Sequence, residues 1–165
     1  MRVGFGFDAH RLAPGRQLVI AGARIPFDKG LEGFSDGDVV AHAIIDAILG
    51  AAALGDCGAY FPAGSPEYAD ANSMDLLRKA AGILAEDGFK IENIDCTIVA
   101  EQPALAAFVD QMRQNIVRAT GIALEQCSVK AKRTEGLGFT GQGLGMAAYA
   151  VAMVEHRTAE SFPII

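Results

Sequence analysis

One aspartate and two histidines are the residues of this sequence whose types and spacing best fit metal chemistry. Asp8 and His10 lie two positions apart at the end of an alternating segment, so a strand there places both side chains on one face. His42 follows Asp38 by about one helical turn in an apolar segment with helical periodicity. Two imidazoles and one carboxylate, with a fourth position open, form the donor set of a catalytic zinc site. For Asp8 and His10 alone, the alternative is a solvated pair at a strand end.

Two other sets of charged residues each allow either a functional role or a role as ordinary surface residues. Asp46 lies one turn after His42 and is either a hydrogen-bond acceptor for that imidazole or a solvated side chain. Lys130 and Lys132 share one face of a predicted strand, and Glu135 lies just beyond it. This group is either a phosphate site with an oxygen-ligated cation such as Mg²⁺ or an ordinary charged strand edge.

A glycine-rich segment follows this strand. Residues 135–145 hold five glycines and match the pattern Gly-x-Gly-x-x-Gly at Gly136, Gly138 and Gly141. A dinucleotide-binding unit is excluded because only 24 residues follow Gly141, too few for the strand–helix–strand unit that it needs. The sequence has no Gly-Lys pair, which excludes a P-loop. The segment is therefore either a loop whose backbone N–H groups approach phosphate oxygens or a tight turn into the last strand.

Hydrophobic periodicity and turn residues predict the elements that position these groups. Residues 1–7 alternate large apolar residues with glycine, which predicts a strand with one buried face. Ser35 with Asp38 has the form of a capping box at the start of the first helix. Residues 55–72 form a loop whose length is typical of a functional segment. The predicted elements are a strand over 1–7, a hairpin of 18–20 with 23–27, helices over 36–54 and 73–88, a strand over 94–100, a helix over 104–121, and strands over 127–133 and 145–155.

The order of these elements predicts the fold class. Strands come first, and helices then alternate irregularly with further strands. We expect an α/β fold of the α+β sandwich type, in which helices pack on one face of a mixed β-sheet. A length of 165 residues and a mass of 17.3 kDa fit one domain over residues 1–165.

Composition and charge exclude several classes of protein. Hydrophobic residues make up 51% of the chain, which excludes intrinsic disorder. A net charge of −6 disfavours a nucleic-acid partner. The three cysteines are far apart and form no CxxC pair, which indicates a reducing compartment. The N-terminus does not have the pattern of a signal peptide, and the apolar run between Asp46 and Asp56 is too short to span a bilayer. We therefore expect a cytoplasmic protein without a membrane partner.

Several short motifs, taken together, resemble the 2-C-methyl-D-erythritol 2,4-cyclodiphosphate synthase family. The resemblance runs from Arg2 to about Glu155, and its specificity comes from the order and spacing of the motifs. The motifs are Gly6-Phe7-Asp8-Ala9-His10, Ile25-Pro26, Ser35-Asp36-Gly37-Asp38 with His42, Ala51-Ala52-Ala53-Leu54-Gly55-Asp56, Phe61-Pro62, and Thr134-Glu135-Gly136-Leu137-Gly138-Phe139-Thr140-Gly141.

The resemblance implies a homotrimer with active sites between subunits and a reaction of the non-mevalonate isoprenoid pathway. In that reaction, 4-diphosphocytidyl-2-C-methyl-D-erythritol 2-phosphate becomes the cyclic diphosphate and CMP, by attack of the substrate's own 2-phosphate on the β-phosphorus. Asp8, His10 and His42 match the family's zinc ligands. Glu135 matches the ligand of a second cation, Mg²⁺ or Mn²⁺, between the α- and β-phosphates.

The resemblance also implies a substrate-binding surface. It divides into a ribose site, a region for methylerythritol phosphate, a cytosine pocket and a phosphate-binding turn. The residues that match it are Asp8, His10, Phe34, Ser35, Asp56, Cys57, Gly58, Phe61, Ala100, Pro103, Leu105, Ala131, Lys132, Arg133, Thr134, Glu135, Phe139 and Gln142.

The chain departs from the family pattern at two positions with a proposed role in stabilising the transition state. Phe34 stands in place of the usual histidine, and Arg133 stands in place of the usual threonine. Other usually charged positions are also replaced, namely by Ala63, Ala104, Gln142 and Leu144. We expect an active synthase with an altered phosphate environment. The alternatives are a weakened or inactive trimer that still binds metal and cytidine nucleotide, and a synthase with a changed substrate.

Overall fold

A computed structural model describes residues 1–157 of the chain, and its central feature is a five-stranded sheet. The strands of the protein are β1 (Arg2–Pro14), β2 (Leu18–Ile20), β3 (Ala23–Ile25), β4 (Lys29–Leu31), β5 (Phe89–Val99), β6 (Cys127–Lys132) and β7 (Gly145–His156). The large sheet has the order β4-β1-β7-β5-β6, and β2 pairs with β3 in a separate hairpin. Only β5 and β6 are parallel in the large sheet, so it is mixed, as the sequence predicts.

The helices cover one face of this sheet. They are α1 (Val39–Ala52), α2 (Cys57–Tyr60), α3 (Ser73–Glu86), α4 (Val109–Thr120) and α5 (Gly138–Gly141). The apolar helix α1 packs on β1 and β7, α3 packs against α1, and α4 packs against α3. The predicted arrangement of helices on one face is therefore confirmed. Within residues 1–157, no helix is both long enough and apolar enough to cross a membrane.

Glycines on β1 let α1 lie directly on the strand. A Cβ atom added at Gly4 would lie 1.9 Å from the carbonyl oxygen of Ala47, and one added at Gly6 would lie 1.9 Å from that of Ala43. No side chain fits in that space, so the close approach of helix and strand requires glycine at both positions. The buried face of the predicted first strand is thus the face that carries Gly4 and Gly6.

The opposite face of β1 is apolar and exposed. The exposed fractions are 65% for Val3, 63% for Phe5 and 45% for Phe7. Phe5 pairs with Val151 of β7 and Phe7 pairs with Tyr149, and these two partners are each 41% exposed. We call these five residues the outer apolar face of the sheet. A contiguous apolar surface of this kind is typical of an interface with another protein chain.

The start of α1 differs from the prediction. The helix begins at Val39, and Asp38 is its N-cap, accepting hydrogen bonds from the N–H groups of Val40 and Ala41. The predicted capping box of Ser35 with Asp38 is therefore wrong, because Asp38 itself caps the helix. The same carboxylate accepts hydrogen bonds from the backbone of residues 21 and 22, at 2.8 and 2.7 Å. Asp38 thus ties the turn of the β2–β3 hairpin to the start of α1.

Several other bounds also differ from the predicted ones. Strand β1 continues past residue 7 to Pro14, because it pairs with β7 through Arg11 and then with β4. The helix predicted to start at 104 begins at Val109, after a 3₁₀ turn over Ala106–Phe108. The last element is a strand, as predicted. Residues 158–165 of the predicted domain lie outside the described part of the chain.

Candidate active site

The contact between α1 and β1 brings the three predicted metal ligands together. Asp8 and His10 continue the row of Gly4 and Gly6 along the helix-facing side of β1. His42 lies in the first turn of α1, which runs antiparallel to β1 above this row. Each of the three side chains offers one ligand atom, and these atoms all lie within 4.8 Å of one another.

Asp8 is the centre of this cluster. Its Oδ2 atom lies 2.8 Å from Nδ1 of His42 and 2.9 Å from Nε2 of His10. Burial raises the pKa of Asp8, but hydrogen bonds to the two imidazoles outweigh burial and hold that pKa well below its usual range. Burial lowers the pKa of His42, but the hydrogen bond to Asp8 and the nearby carboxylates raise it above its usual value. The site is therefore built for a positive charge beside the Asp8 carboxylate.

The donor set fits a zinc ion. Nitrogen and oxygen ligands lie about 2.0–2.2 Å from zinc, which places neighbouring ligand atoms a little over 3 Å apart in a tetrahedron. The two contacts of 2.8 and 2.9 Å need only a small separation to reach this geometry. The side chains are partly buried and line a cleft, so a zinc ion held by them would be accessible to a ligand from that cleft.

The second ring nitrogen of His42 contacts two hydroxyl groups. Its Nε2 atom lies 3.0 Å from Oγ of Ser73 and 3.1 Å from Oγ of Ser35. The Ser73 hydroxyl donates in turn to the carboxylate of Asp36. Neither Ser73 nor Asp36 is among the candidate residues drawn from the sequence. Asp36 stands in one of the motifs that carry the family resemblance, and Ser73 opens a predicted helix, but neither signal gives information on the distance to His42.

Asp46 does not act as an acceptor for His42. Its Oδ1 atom accepts a hydrogen bond of 2.8 Å from the backbone N–H of Cys57, so it joins α1 to the start of α2. Burial and the charge of Asp46 raise the pKa of the Cys57 thiol to about 12. Cys57 is therefore a protonated thiol at neutral pH, which makes it a poor nucleophile and a poor metal ligand.

The metal-ligand cluster opens into a cleft of about 340 Å³, which we call the metal cleft. Many of the predicted substrate-binding residues line it. They are Asp8, His10, Phe34, Ser35, Asp56, Cys57, Gly58 and Phe61, together with His42 and Ala63. Phe34 is 40% exposed at this cleft and presents an apolar ring to its interior.

A second cleft of about 350 Å³ lies at the β6 edge of the sheet, and we call it the edge cleft. It brings together most of the remaining predicted residues, including the predicted second cation ligand. Those residues are Ala100, Pro103, Leu105, Ala131, Lys132, Arg133 and Glu135. Lys130, by contrast, forms an ion pair with Asp95 on the neighbouring strand. Of the two lysines on this strand face, Lys132 therefore belongs to the edge cleft and Lys130 does not.

The glycine-rich segment forms a tight turn and the four-residue helix α5 before β7. A Cβ atom at Gly141 would lie 2.3 Å from the backbone of Gly136, so the turn requires glycine there. Thr134 donates its hydroxyl hydrogen bond to the carbonyl of residue 137 within this turn. Phe139 lines a separate recess beside His10, and Gln142 is exposed just after α5. The structure thus places Thr134, Phe139 and Gln142 outside the lining of both main clefts.

The two clefts are separated within one chain. The metal cleft lies on β1 and α1, whereas the edge cleft lies at the ends of β5 and β6. Strands β1 and β6 are three strand spacings apart in the sheet, which is about 14 Å. One copy of the chain therefore carries two separate clefts, one between α1 and β1 and one at the β6 edge of the sheet.

Comparison with known proteins gives one consistent result. The model of the YgbB family matches residues 1–155. A 2-C-methyl-D-erythritol 2,4-cyclodiphosphate synthase of Moorella thermoacetica is 54% identical over 159 residues, which cover 96% of this chain and 98% of that protein. The enzyme of the same name from Syntrophomonas wolfei is 54% identical over 155 residues, which cover 94% of this chain and 99% of that one.

Solved structures agree with this result. The bifunctional IspDF of Campylobacter jejuni is 40% identical with a TM-score of 0.91, over 94% of this chain and 42% of that longer one. The CDP complex of IspF from Plasmodium falciparum is 29% identical with a TM-score of 0.83, over 95% of this chain and 97% of that one. The chain therefore belongs to the YgbB family, and it is a lyase of the 2-C-methyl-D-erythritol 2,4-cyclodiphosphate synthase family.

Proposed function

We propose that this enzyme converts 4-diphosphocytidyl-2-C-methyl-D-erythritol 2-phosphate into 2-C-methyl-D-erythritol 2,4-cyclodiphosphate and CMP. The observation that carries the proposal is the cluster of Asp8, His10 and His42 at the metal cleft, in a chain 54% identical over almost its full length to a synthase of that name. The relevant relatives include a structure named as a CDP complex, which supports a cytidine diphosphate ligand.

The clefts divide the substrate between them. The metal cleft takes the methylerythritol phosphate and the ribose, with Ser35 donating its hydroxyl to a phosphate oxygen and Asp56 accepting from a ribose hydroxyl. The edge cleft takes cytosine against its alanine, proline and leucine surface, while Lys132 and Arg133 face the diphosphate. Zinc at Asp8, His10 and His42 and a second cation, Mg²⁺ or Mn²⁺, at Glu135 would neutralise phosphate oxygens and make the β-phosphorus easier to attack.

The chemical step needs no nucleophile from the protein. An oxygen of the substrate's 2-phosphate forms a bond to the β-phosphorus, and the bond from that phosphorus to the oxygen that leaves with CMP breaks. The protonated state of Cys57, the one cysteine of the metal cleft, supports this intramolecular route. The protein's task is to hold the two phosphates in line and to exclude water, and such alignment is a large part of catalysis in reactions of this type.

A homotrimer completes the active site in this proposal. The two clefts lie about three strand spacings apart within one chain, so a ring of identical copies can place the edge cleft of one copy against the metal cleft of the next. The outer apolar face provides a surface for such a ring, since Val3, Phe5 and Phe7 are between 45% and 65% exposed in the single chain. Three faces turned toward a common axis would bury these side chains together.

Phe34 and Arg133 are the two substitutions that determine how fast we expect the synthase reaction to be. Phe34 offers no hydrogen bond to a phosphate oxygen, and loss of one such donor costs about 10²–10³ in rate in other enzymes. Arg133 lines the edge cleft and brings a positive charge that partly offsets the loss. The second candidate function is a trimer that binds metal and cytidine nucleotide with weak or absent turnover, and the apolar ring of Phe34 at the metal cleft is the observation that favours it. A changed substrate is the third candidate, since Phe34 and Ala63 both make the cleft less polar.

A CMP-release assay with the cytidine substrate, zinc and Mg²⁺ tests the proposal, with the cyclic product identified by phosphorus NMR. We expect cyclic product from the wild type and a large gain in turnover for Phe34→His. Absence of product from a zinc-loaded trimer, with no gain for Phe34→His, would favour the nucleotide-binding alternative. Product from a related cytidine diphosphate ester alone would favour the changed substrate.

A further inference from the structure

We propose that Ser73 and Asp36 are positioning residues that orient His42 for metal binding. The inference rests on the zinc site of the proposed function. Ser73 is completely buried at the first position of α3, and its hydroxyl lies 3.0 Å from Nε2 of His42. The three residues form a chain of hydrogen bonds that runs from the imidazole through the hydroxyl to the carboxylate.

The direction of the hydrogen bonds follows from the partners of Ser73. A serine hydroxyl has one proton to donate, and the Asp36 carboxylate is the strongest acceptor within its reach. Once that proton is committed to Asp36, the lone pairs of Ser73 Oγ can accept the Nε2–H of His42. The Asp36 carboxylate also accepts from the backbone N–H of Ser73 at 3.0 Å and of Asp38 at 3.2 Å, so it is itself held in place.

This arrangement leaves the other ring nitrogen of His42 free for a metal. In the metal-free protein Nδ1–H donates a hydrogen bond to Oδ2 of Asp8 at 2.8 Å, and a zinc ion would displace that proton and bind through the Nδ1 lone pair. A hydrogen bond from the second nitrogen of a metal-binding histidine fixes both its tautomer and its ring orientation. The link to a carboxylate raises the basicity of the ring and hence its strength as a ligand.

Ser35 has a different role although its hydroxyl lies at a similar distance, 3.1 Å, from the same nitrogen. Ser35 lines the metal cleft, whereas Ser73 lies behind His42 and away from the cleft lining. If Ser73 accepts the Nε2–H, the Ser35 hydroxyl keeps its own proton for a phosphate oxygen. Ser73 therefore binds the metal ligand His42, and the Ser35 hydroxyl is left to bind the substrate.

Zinc affinity of the folded protein, measured by competition with a coloured chelator, tests this division without any catalytic assay. We expect Ser73→Ala to raise the zinc Kd by about 10–100-fold, as is typical when the partner of a metal-binding histidine is lost. Asp36→Asn should raise the Kd in the same direction. Ser35→Ala is the matched control. It removes a hydroxyl that lies beside the same nitrogen and 3.2 Å from Ser73 Oγ but has no hydrogen bond to Asp36, so its Kd should stay within about threefold of the wild-type value. Circular dichroism of each metal-free variant checks that it is folded. If Ser73→Ala does not fold, Asp36→Asn provides the same test.

Proton NMR of the zinc-loaded protein gives a readout that a purely structural role would not change. The chain has only three histidines, so the Nε2–H signal of His42 can be assigned by nitrogen labelling. We expect Ser73→Ala to move this signal upfield and to speed its exchange with water, and Ser35→Ala to leave it in place. The opposite pattern, or an unchanged zinc Kd in folded Ser73→Ala, would overturn the inference. If the wild type itself binds no zinc, the proposed metal site fails first, which separates the two outcomes.

Discussion

The distance between α1 and β1 sets the geometry of the proposed metal site, and Gly6→Ala is the substitution that changes this distance most directly. The added Cβ would lie 1.9 Å from the carbonyl oxygen of Ala43, which is the residue after His42. An ordinary contact begins at 3.4 Å, so the helix must move away by about 1.5 Å if the strand stays in place. That movement would open the contact of 2.8 Å between His42 and Asp8 to roughly 4 Å.

We expect Gly6→Ala to lower both stability and metal affinity. Overpacking of this kind costs about 1–3 kcal/mol of unfolding free energy. A displacement of about 1 Å at a catalytic site costs about 10²-fold in rate. Urea denaturation, chelator competition for zinc and the CMP-release assay measure the three quantities on one preparation.

Two further glycine variants separate the site from the fold. Gly4→Ala would clash in the same way with the carbonyl oxygen of Ala47, which lies about one helical turn farther along α1 from His42. We therefore expect similar destabilisation with a smaller loss of zinc affinity. Gly50 lies within α1 with open space around its Cβ position, so Gly50→Ala should stabilise the protein by about 0.5–1 kcal/mol. A folded Gly6→Ala protein whose zinc Kd and turnover both match the wild type would refute the view that helix–strand distance sets the site.

Three further predictions test the charges, the interface and the metal. Asp8→Asn should lower the unfolding free energy of the metal-free protein most between pH 3.8 and 6.5. The stabilisation from Asp8 is lost as the pH falls below 3.8, the usual pKa of the carboxyl, and the stabilisation from His42 is lost as the pH rises through the raised pKa of its imidazole. Melting temperatures across pH check this, and a difference that is constant with pH would contradict it. If Val3, Phe5 and Phe7 form the interface of the proposed trimer, Phe5→Lys should yield 17 kDa particles in light scattering, whereas the surface variant Glu67→Lys should leave the assembly intact. Chelation should abolish CMP release, and zinc added together with Mg²⁺ should restore it. Activity that survives complete chelation would exclude the metal role.

Local patterns were sufficient to predict most of the elements and the faces on which the three candidate metal ligands lie. The spacing of Asp8 and His10 places both on one strand face, and the helical periodicity around His42 places it on a helix. Both predictions depend only on the geometry of a single element. Their meeting point depends on how α1 lies on β1, and the sequence signals that contact only through Gly4 and Gly6, whose Cβ positions the helix backbone occupies.

Features that depend on distant residues were not predictable in the same way. Ser73 lies 31 residues after His42 and 37 after Asp36, so no periodicity relates them. Asp46 lies one helical turn after His42, which is the spacing of a hydrogen-bond partner, but its carboxylate accepts the hydrogen bond of the Cys57 backbone N–H instead. Asp38 rather than Ser35 caps α1, and backbone N–H groups from the β2–β3 turn, at residues 21 and 22, hold its carboxylate in place. In each case a contact from another part of the chain decided between two locally acceptable arrangements.

The alternation along β1 combines two requirements in one strand. Residues at even positions, from Gly4 through His10, face α1 and build the metal site, while Val3, Phe5 and Phe7 face outward. A shift of pairing by one residue would exchange the faces, placing three large side chains against α1 and turning Asp8 and His10 away from His42. The glycines exclude that shifted register because α1 leaves no room for any side chain at their positions. If the proposed trimer forms, the same strand therefore fixes the metal site on one face and the subunit interface on the other, so a change in its register should impair both functions together.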